Sequence, residues 1–163
     1  MLIQLLVGSL VSAIAIMVHA LATVGAVSIA RAAGRRRGTY PRLHLMGVTV
    51  ATVLVLMLAH MVEIVVWSLS YALVGAAPAG SDLLYFAFVN YTTLGYGDVT
   101  PVKAWQLLGP MAAMNGILMF GWSTAVLFEV LRKTLEHLAS LAAPGMPFSS
   151  ADRDQPAAGG PAG

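Results

Sequence analysis

Three ionisable side chains lie inside long apolar stretches of this sequence: His19, His60 and Glu63. His60 and Glu63 are three positions apart, so a helix would place them on one face, where they could bind a metal ion or exchange a proton. His19 would be the third ligand, but helical rise alone does not fix its depth relative to His60. A buried polar pair that holds helices together needs no third ligand. We prefer this interpretation to a pH-sensing role.

The composition places these residues in a membrane. The 163-residue chain is 58% hydrophobic and 10% charged, with a mean hydropathy of +0.80, which is far more apolar than a water-soluble domain. Residues 2–30 and 104–128 contain no Asp, Glu, Lys or Arg, and residues 43–81 contain only Glu63. Each stretch exceeds the ~20 apolar residues that a spanning helix needs. We therefore predict an all-α membrane protein with three transmembrane helices. The absence of cysteine excludes disulfides and thiolate metal sites.

The basic residues predict the orientation. Five arginines and no acidic residue occupy the connection between the first two spans: Arg31, Arg35, Arg36, Arg37 and Arg42. A connection of this kind is typically cytoplasmic, which puts the N-terminus outside and the C-terminus inside. A cleaved signal peptide is the alternative for the first span, but it lacks a positive n-region and its apolar run is too long.

A fourth segment, between the second and third spans, is too short to cross. Residues 78–80 (Pro-Ala-Gly) break the second span, and Ser81 or Asp82 could cap a new helix over residues 83–92. About ten residues at ~1.5 Å each cover half a bilayer, so this helix should enter the membrane and return. The backbone that follows must then face a pore or other protein.

That backbone carries a specific motif. Residues 92–98 read T-T-L-G-Y-G-D, which resembles the T-x-G-Y-G-D signature of the tetrameric potassium-channel family. Five fixed residues at this spacing arise by chance in about one in ten thousand chains of this length. The resemblance covers residues 54–136. It implies a single-pore-loop bacterial ion channel of the two-transmembrane type, with an extra N-terminal helix.

The resemblance implies which atoms meet the ion. Backbone carbonyls would replace the water of a potassium ion, the ion-binding residues of this filter being Thr93, Leu94, Gly95, Tyr96 and Gly97. The two glycines would supply backbone angles that L-residues disfavour. Since one loop gives one oxygen per level, four identical chains are needed to close the cage, and the single motif implies a homotetramer.

Other residues would support this filter. Thr92 and Asp98 flank it, and Asp98 would brace the outer mouth by a hydrogen bond. Tyr96 would pack against the aromatic residues of the short helix, which are Tyr85, Phe86 and Phe88. Leu94 replaces the commoner valine, and Val89 stands where some relatives carry glutamate. No span has arginine at every third position, so a voltage sensor of the usual kind is absent.

Four residues of the third span are candidate cavity or gate positions: Asn115, Gly116, Gly121 and Glu129. Asn115 could face the cavity or make an interhelical hydrogen bond. Each glycine could be a hinge, although small residues in membrane helices more often mark close packing. Glu129 could form a ring of four carboxylates, or pair with Arg132 and Lys133 on its own helix.

We thus predict an N-terminal transmembrane helix (1–33), a cytoplasmic basic loop (34–44), a pore domain (45–137) and a disordered cytoplasmic tail (138–163) rich in Pro, Gly and Ala. The predicted function is passive potassium conduction across a bacterial plasma membrane. We expect no enzymatic activity, no cofactor beyond the permeant ion and no nucleic acid; a separate regulatory protein is one explanation for gating. The alternatives are a poorly selective cation channel, and a membrane metal-binding or catalytic protein built on His60, Glu63 and His19.

Overall fold

The computed structural model describes residues 1–34 and 41–142, which fold into helices with no strand among them. The helices are α1 (Leu2–Gly34), α2 (Pro41–Val74), α3 (Leu83–Tyr91), a one-turn 3-10 helix (Lys103–Trp105) and α4 (Leu108–Ala142). Three helices, α1, α2 and α4, are long and apolar enough to cross a membrane, which confirms the all-α class and the three predicted spans.

The predicted basic loop and the predicted tail fall mostly outside the described residues. Where they overlap, the helices run further than predicted. α2 begins at Pro41, because proline is well tolerated in the first turn of a helix, where its missing N–H needs no partner. α4 continues to Ala142 because the sequence from Leu138 to that point contains good helix formers and no proline or glycine.

α1 runs in the same direction as α4. The backbone N–H of Leu107 donates to Gln4 Oε1 at 3.1 Å, and a Cβ placed on Gly8 would overlap the side chain of Met111. From the first contact to the second, the residue number rises by four in both segments, from 4 to 8 and from 107 to 111, as it must when two elements are parallel. A glycine at position 8 thus lets the two helices approach closely.

α2 runs in the opposite direction. Its late residue Tyr71 donates its hydroxyl to the Leu108 carbonyl at the start of α4, at 3.5 Å. Its early residue Val48 packs with Val126 and Val130 in the second half of α4. The three long helices therefore form an up-down-up arrangement.

α3 packs between α2 and α4, and large side chains hold it there. The ring centroids of Tyr71 and Phe86 lie 5.0 Å apart, and those of Trp67 and Tyr71 lie 5.9 Å apart. Six of the largest core residues are less than 2% exposed: Trp67, Tyr71, Phe86, Tyr91, Leu108 and Met119. The short helix is thus fixed mainly by aromatic packing.

The connections before and after α3 start and finish beside the C-terminal end of α2. α2 ends at a left-handed Gly75 (φ +64°), with Ala76 N–H donating to the Tyr71 carbonyl at 3.0 Å, which is a Schellman motif. Val102 N–H donates to the Ala76 carbonyl at 2.9 Å. Residues 77–101 therefore leave α2 and return to its end, as a re-entrant segment must.

Asp82 is the N-cap of α3. Its Oδ1 accepts hydrogen bonds from the N–H groups of Leu84 (3.0 Å) and Tyr85 (3.1 Å). Of the two predicted caps, the structure therefore uses Asp82 and not Ser81. The helix that it starts has nine residues, about 14 Å at ~1.5 Å per residue, which is too short to cross a bilayer.

Replacing Asp82 with alanine should lower the free energy of unfolding by about 1 kcal/mol, because two N–H groups lose their acceptor. Thermal or denaturant unfolding of the protein in detergent measures this change. The matched control is Ser81→Ala, which removes the neighbouring candidate cap and should be close to neutral. Equal losses for both variants would contradict the assignment.

Candidate functional site

The glycine-rich segment after α3 has an alternating backbone. Thr93, Gly95 and Gly97 have φ angles of +61°, +60° and +79°. Glycine adopts such angles freely, whereas for threonine the left-handed region costs roughly 1–2 kcal/mol. Thr93 is the only non-glycine residue with positive φ in the part of the chain that the structure describes. Positive φ thus occurs at three alternate residues, whereas the resemblance predicted it only at the two glycines.

The N–H groups at the start of this segment bond back to α3. The donors are Thr92 to the Phe88 carbonyl at 2.9 Å, Thr93 to Asn90 at 3.0 Å and Leu94 to Val89 at 3.0 Å. The carbonyls of residues 93–96 accept no hydrogen bond from any residue that the structure describes. Because a bare carbonyl in an apolar setting is unfavourable, these oxygens need water, a cation or another chain.

The far end of the segment is tied to the first turn of α3. The Tyr85 hydroxyl donates to Asp98 Oδ2 at 2.7 Å. This hydrogen bond raises the pKa of the Tyr85 hydroxyl, so the phenol keeps the proton that it donates. Asp98 is therefore held against α3, in line with the bracing role that the resemblance implies for it.

Tyr96 does not pack as expected within one chain. Its side chain is 67% exposed, and it makes no ring contact with any aromatic residue in the described ranges. Phe86 instead packs on Tyr71 of α2. The predicted packing of Tyr96 against the aromatic residues of α3 is thus absent from the described part of the chain.

A closed ring of polar contacts lies beside the start of this segment. It consists of one side chain from α1, two from α2, one from α3 and one from α4, which are His19, His60, Glu63, Tyr91 and Ser123. We call this set the polar ring.

The polar ring closes through five contacts. His19 Nδ1 lies 2.8 Å from Glu63 Oε1, and His19 Nε2 lies 3.3 Å from Ser123 Oγ. Ser123 Oγ lies 3.0 Å from His60 Nε2, and His60 Nδ1 lies 3.0 Å from the Tyr91 hydroxyl. The Tyr91 hydroxyl donates to Glu63 Oε2, which closes the circle.

The ring includes the three ionisable residues predicted from sequence. His19 and Glu63 are fully buried and His60 is 6% exposed, and one nitrogen or oxygen of each lies within 4.8 Å of the others. His19 and His60 are level, with ring centroids 5.2 Å apart. A metal site would need such proximity, but every ring nitrogen already has a hydrogen-bond partner. These side chains thus form a hydrogen-bonded network.

Sequence reasoning missed two members of the polar ring. Ser123 has no motif around it, and Tyr91 precedes the T-T-L-G-Y-G-D motif without being part of it, so no local signal identifies their side chains as partners of the histidines. Phe120 and Trp122 shield the ring, with centroids 4.6 Å from His60 and 5.6 Å from His19 respectively.

The α4 candidates have different surroundings. Asn115 is 4% exposed and accepts a hydrogen bond from Trp67 Nε1 at 3.3 Å, so it joins α4 to α2. A Cβ on Gly116 would overlap the Tyr91 carbonyl oxygen, whereas a Cβ on Gly121 would meet nothing within 4 Å. Gly116 is thus a close-packing position, and Gly121 lies on an open face of the chain.

Glu129 makes ion pairs on its own helix. Its carboxylate lies 2.9 Å from Arg132 and 2.9 Å from Lys133. These are the i+3 and i+4 partners that the sequence offered as the alternative to a carboxylate ring. The pairs are solvent-exposed, and pairs of this kind contribute little to stability.

Comparison with known proteins finds one family similar to the central region. Residues 55–133 match the model of a family described as ion channel, a two-transmembrane family that includes potassium channels. No curated protein and no solved structure matches the chain. The match spans most of α2, α3, the glycine-rich segment and most of α4. This part of the chain is therefore similar to an ion-channel domain, and the three long apolar helices are those of a multi-pass membrane protein. α1 lies outside the match.

Substituting Gly116 with alanine should destabilise the fold by about 1–3 kcal/mol, because the new methyl group collides with backbone that cannot rotate away. Gly121→Ala is the matched control on the same helix and should be neutral or slightly stabilising, since alanine has the higher helix propensity. Unfolding midpoints of the two variants in detergent test this difference. Equal midpoints would refute the close-packing assignment.

Proposed function

We propose that this chain is one subunit of a homotetrameric, potassium-selective channel, which conducts potassium passively through residues 93–97 and needs no cofactor. The observation that carries the proposal is the backbone of this segment. Positive φ alternates at Thr93, Gly95 and Gly97, and the carbonyls of residues 93–96 have no partner in the described part of the chain.

The chemistry of ion transfer favours such a backbone. An ion that leaves water must exchange its hydration shell for other oxygens, and peptide carbonyls supply these without a fixed charge that would trap it. Alternating backbone angles are what allow successive carbonyls to face one side. The Thr93 hydroxyl would add a further oxygen at the inner end.

Four copies are needed to complete this environment. One chain supplies one carbonyl at each level, so a closed cage of oxygens requires four chains around an axis. Residues 92–98 are exposed in the single chain apart from the contacts described above. The exposed Tyr96 ring is free to pack against a neighbouring subunit, and the lipid bilayer covers the outer apolar faces.

α3 adds an electrostatic contribution. Its C-terminus, at Tyr91, leads directly into the filter, and the last carbonyls of a helix carry partial negative charge. A cation that waits below the filter is favoured there. The charges flanking the spans put Lys103 outside and Arg132 and Lys133 inside, so we place the C-terminus in the cytoplasm of a bacterial cell.

Gly95→Ala should abolish potassium-selective flux. Purified protein in liposomes with an imposed potassium gradient provides the measurement, and reversal potentials in mixed potassium and sodium solutions report selectivity. Alanine at φ +60° is strained by about 1–2 kcal/mol and would turn the peptide planes. A nonselective wild type would favour the poorly selective cation channel.

The matched control is Gly75→Ala. Gly75 has nearly the same φ, +64°, and no atom within 4 Å of its would-be Cβ, but it ends α2 outside the filter. It should lose a similar amount of stability and keep selective flux. Loss of flux in both variants would show that general strain, and not the filter, causes the effect.

The number of subunits is a separate test. Counting photobleaching steps of singly labelled chains in lipid should give four per complex, as should native mass spectrometry from nanodiscs. The physical reason is that fewer loops leave the carbonyl cage open to lipid. Monomers or dimers that still conduct potassium would exclude the proposed filter.

A further inference from the structure

The polar ring contains five contacts at hydrogen-bonding distance, and each of them needs one proton. With Glu63 ionised and both imidazoles neutral, the side chains supply four protons: one each from His19, His60, Tyr91 and Ser123. Four protons cannot serve five contacts. One pair of acceptors would then face each other, at 3.3 Å or less.

This count does not depend on tautomers. A neutral imidazole carries one N–H whichever nitrogen holds it, and each hydroxyl has one proton wherever it points. The five contacts form a circle in which each group can donate once and accept once. His60 Nδ1 also lies 3.4 Å from Glu63 Oε2, and this longer contact across the circle brings no further proton. A fifth proton therefore completes the circle in either direction.

The charge of the polar ring also calls for one added proton. Glu63 pairs with His19 and His60 and with no lysine or arginine in the described ranges. The Tyr91 hydroxyl from α3 also contacts Glu63. From α4, the Ser123 hydroxyl and the rings of Phe120 and Trp122 contact the two histidines. An ionised carboxylate without a cation is costly inside a membrane, and one added proton makes the ring neutral.

We propose that the polar ring is a buried proton-binding site, which takes up one proton beyond those that its side chains carry with Glu63 ionised and both imidazoles neutral. The site belongs to the whole ring, since every member both donates and accepts. It joins all four helices, and its α3 member, Tyr91, immediately precedes Thr92 and Thr93. One consequence rests on the proposed function. Loss of this proton weakens the hydrogen bonds that connect Tyr91, at the filter entrance, to Ser123 of α4.

The folded state then binds one proton more than the unfolded chain above pH ~6.5, where unfolded histidine is neutral. Stability must fall as pH rises, by up to about tenfold in the folding constant per pH unit, until the ring releases its proton. Full-length protein in detergent should therefore show an unfolding midpoint that decreases between pH 6.5 and 9.5. A wild-type midpoint that does not decrease overturns the proposal.

Glu63→Gln is the sharpest variant. The amide of glutamine supplies an N–H at the position where the carboxyl group would need the extra proton. All five hydrogen bonds of the polar ring then form at every pH, and the unfolding midpoint should no longer decrease between pH 6.5 and 9.5. The matched control, Glu136→Gln, changes an exposed carboxylate on α4 that pairs with Arg132, and it should keep the wild-type curve. A wild-type curve for Glu63→Gln overturns the proposal.

Two further measurements complete the test. Glu63→Leu removes the carboxylate, which leaves three contacts with four protons to serve them and no charge to neutralise. It should also lose the decrease, and it replaces Glu63→Gln if that variant does not fold. One equivalent of a divalent metal in purified wild type, found by elemental analysis, overturns the proposal because the metal would take the place of the proton.

Potassium flux from liposomes at the same pH values tests the functional consequence. Wild-type flux should change with pH and Glu63→Gln flux should not. A wild type that conducts with no pH dependence removes the consequence for the filter. A wild type that does not conduct contradicts the proposed function and leaves the unfolding result, and hence the proton site, intact.

Discussion

The peptide carbonyls of residues 93–96 accept no hydrogen bond within the described chain. The contacts that hold the two ends of this segment depend on that fact. In water such groups cost little, but at membrane depth they are tolerated only beside other protein or a water-filled path. The chain must therefore hold an unfavourable backbone in place from both ends. Asp82 fixes the start of α3, the last turn of α3 takes up the N–H groups of residues 92–94, and Tyr85 holds Asp98.

The support behind this backbone differs between its two ends. Aromatic packing dominates around the middle of α3, where Phe86 lies against Tyr71. Near Tyr91 the support is polar, and it includes α1 through His19. The match to ion channels begins at residue 55 and leaves α1 out. The contacts of α1 through Gln4, Gly8 and His19 nevertheless make it part of the same packed unit, and the His19 contact lies beside the start of the glycine-rich segment.

Much of this fold could be predicted from local signals. Stretches with at most one charged residue predicted the three spans, and a proline and a capping residue predicted α3. The resemblance carried by T-T-L-G-Y-G-D predicted the unusual backbone angles at Gly95 and Gly97. Which residues of different helices meet depends on the register between the helices, and a local sequence pattern does not predict that register. Gly116 and Gly121 look alike in sequence, yet only one faces the Tyr91 carbonyl. His19 and His60 lie side by side, which helical rise alone did not predict, and their hydrogen-bond partners Tyr91 and Ser123 come from two further helices.

Register is also the reason that a polar ring is useful in a membrane. Apolar side chains are as well solvated by lipid as by one another, so apolar packing alone distinguishes poorly between neighbouring registers of two helices. A directional network distinguishes them, because a shift of one residue leaves buried polar groups without partners. Replacing Glu63 with leucine would remove a costly group and, with it, the contact that orients Tyr91. Tyr91 directly precedes Thr92, so the contacts of its side chain with Glu63 and His60 hold the last turn of α3, from which the alternating backbone begins.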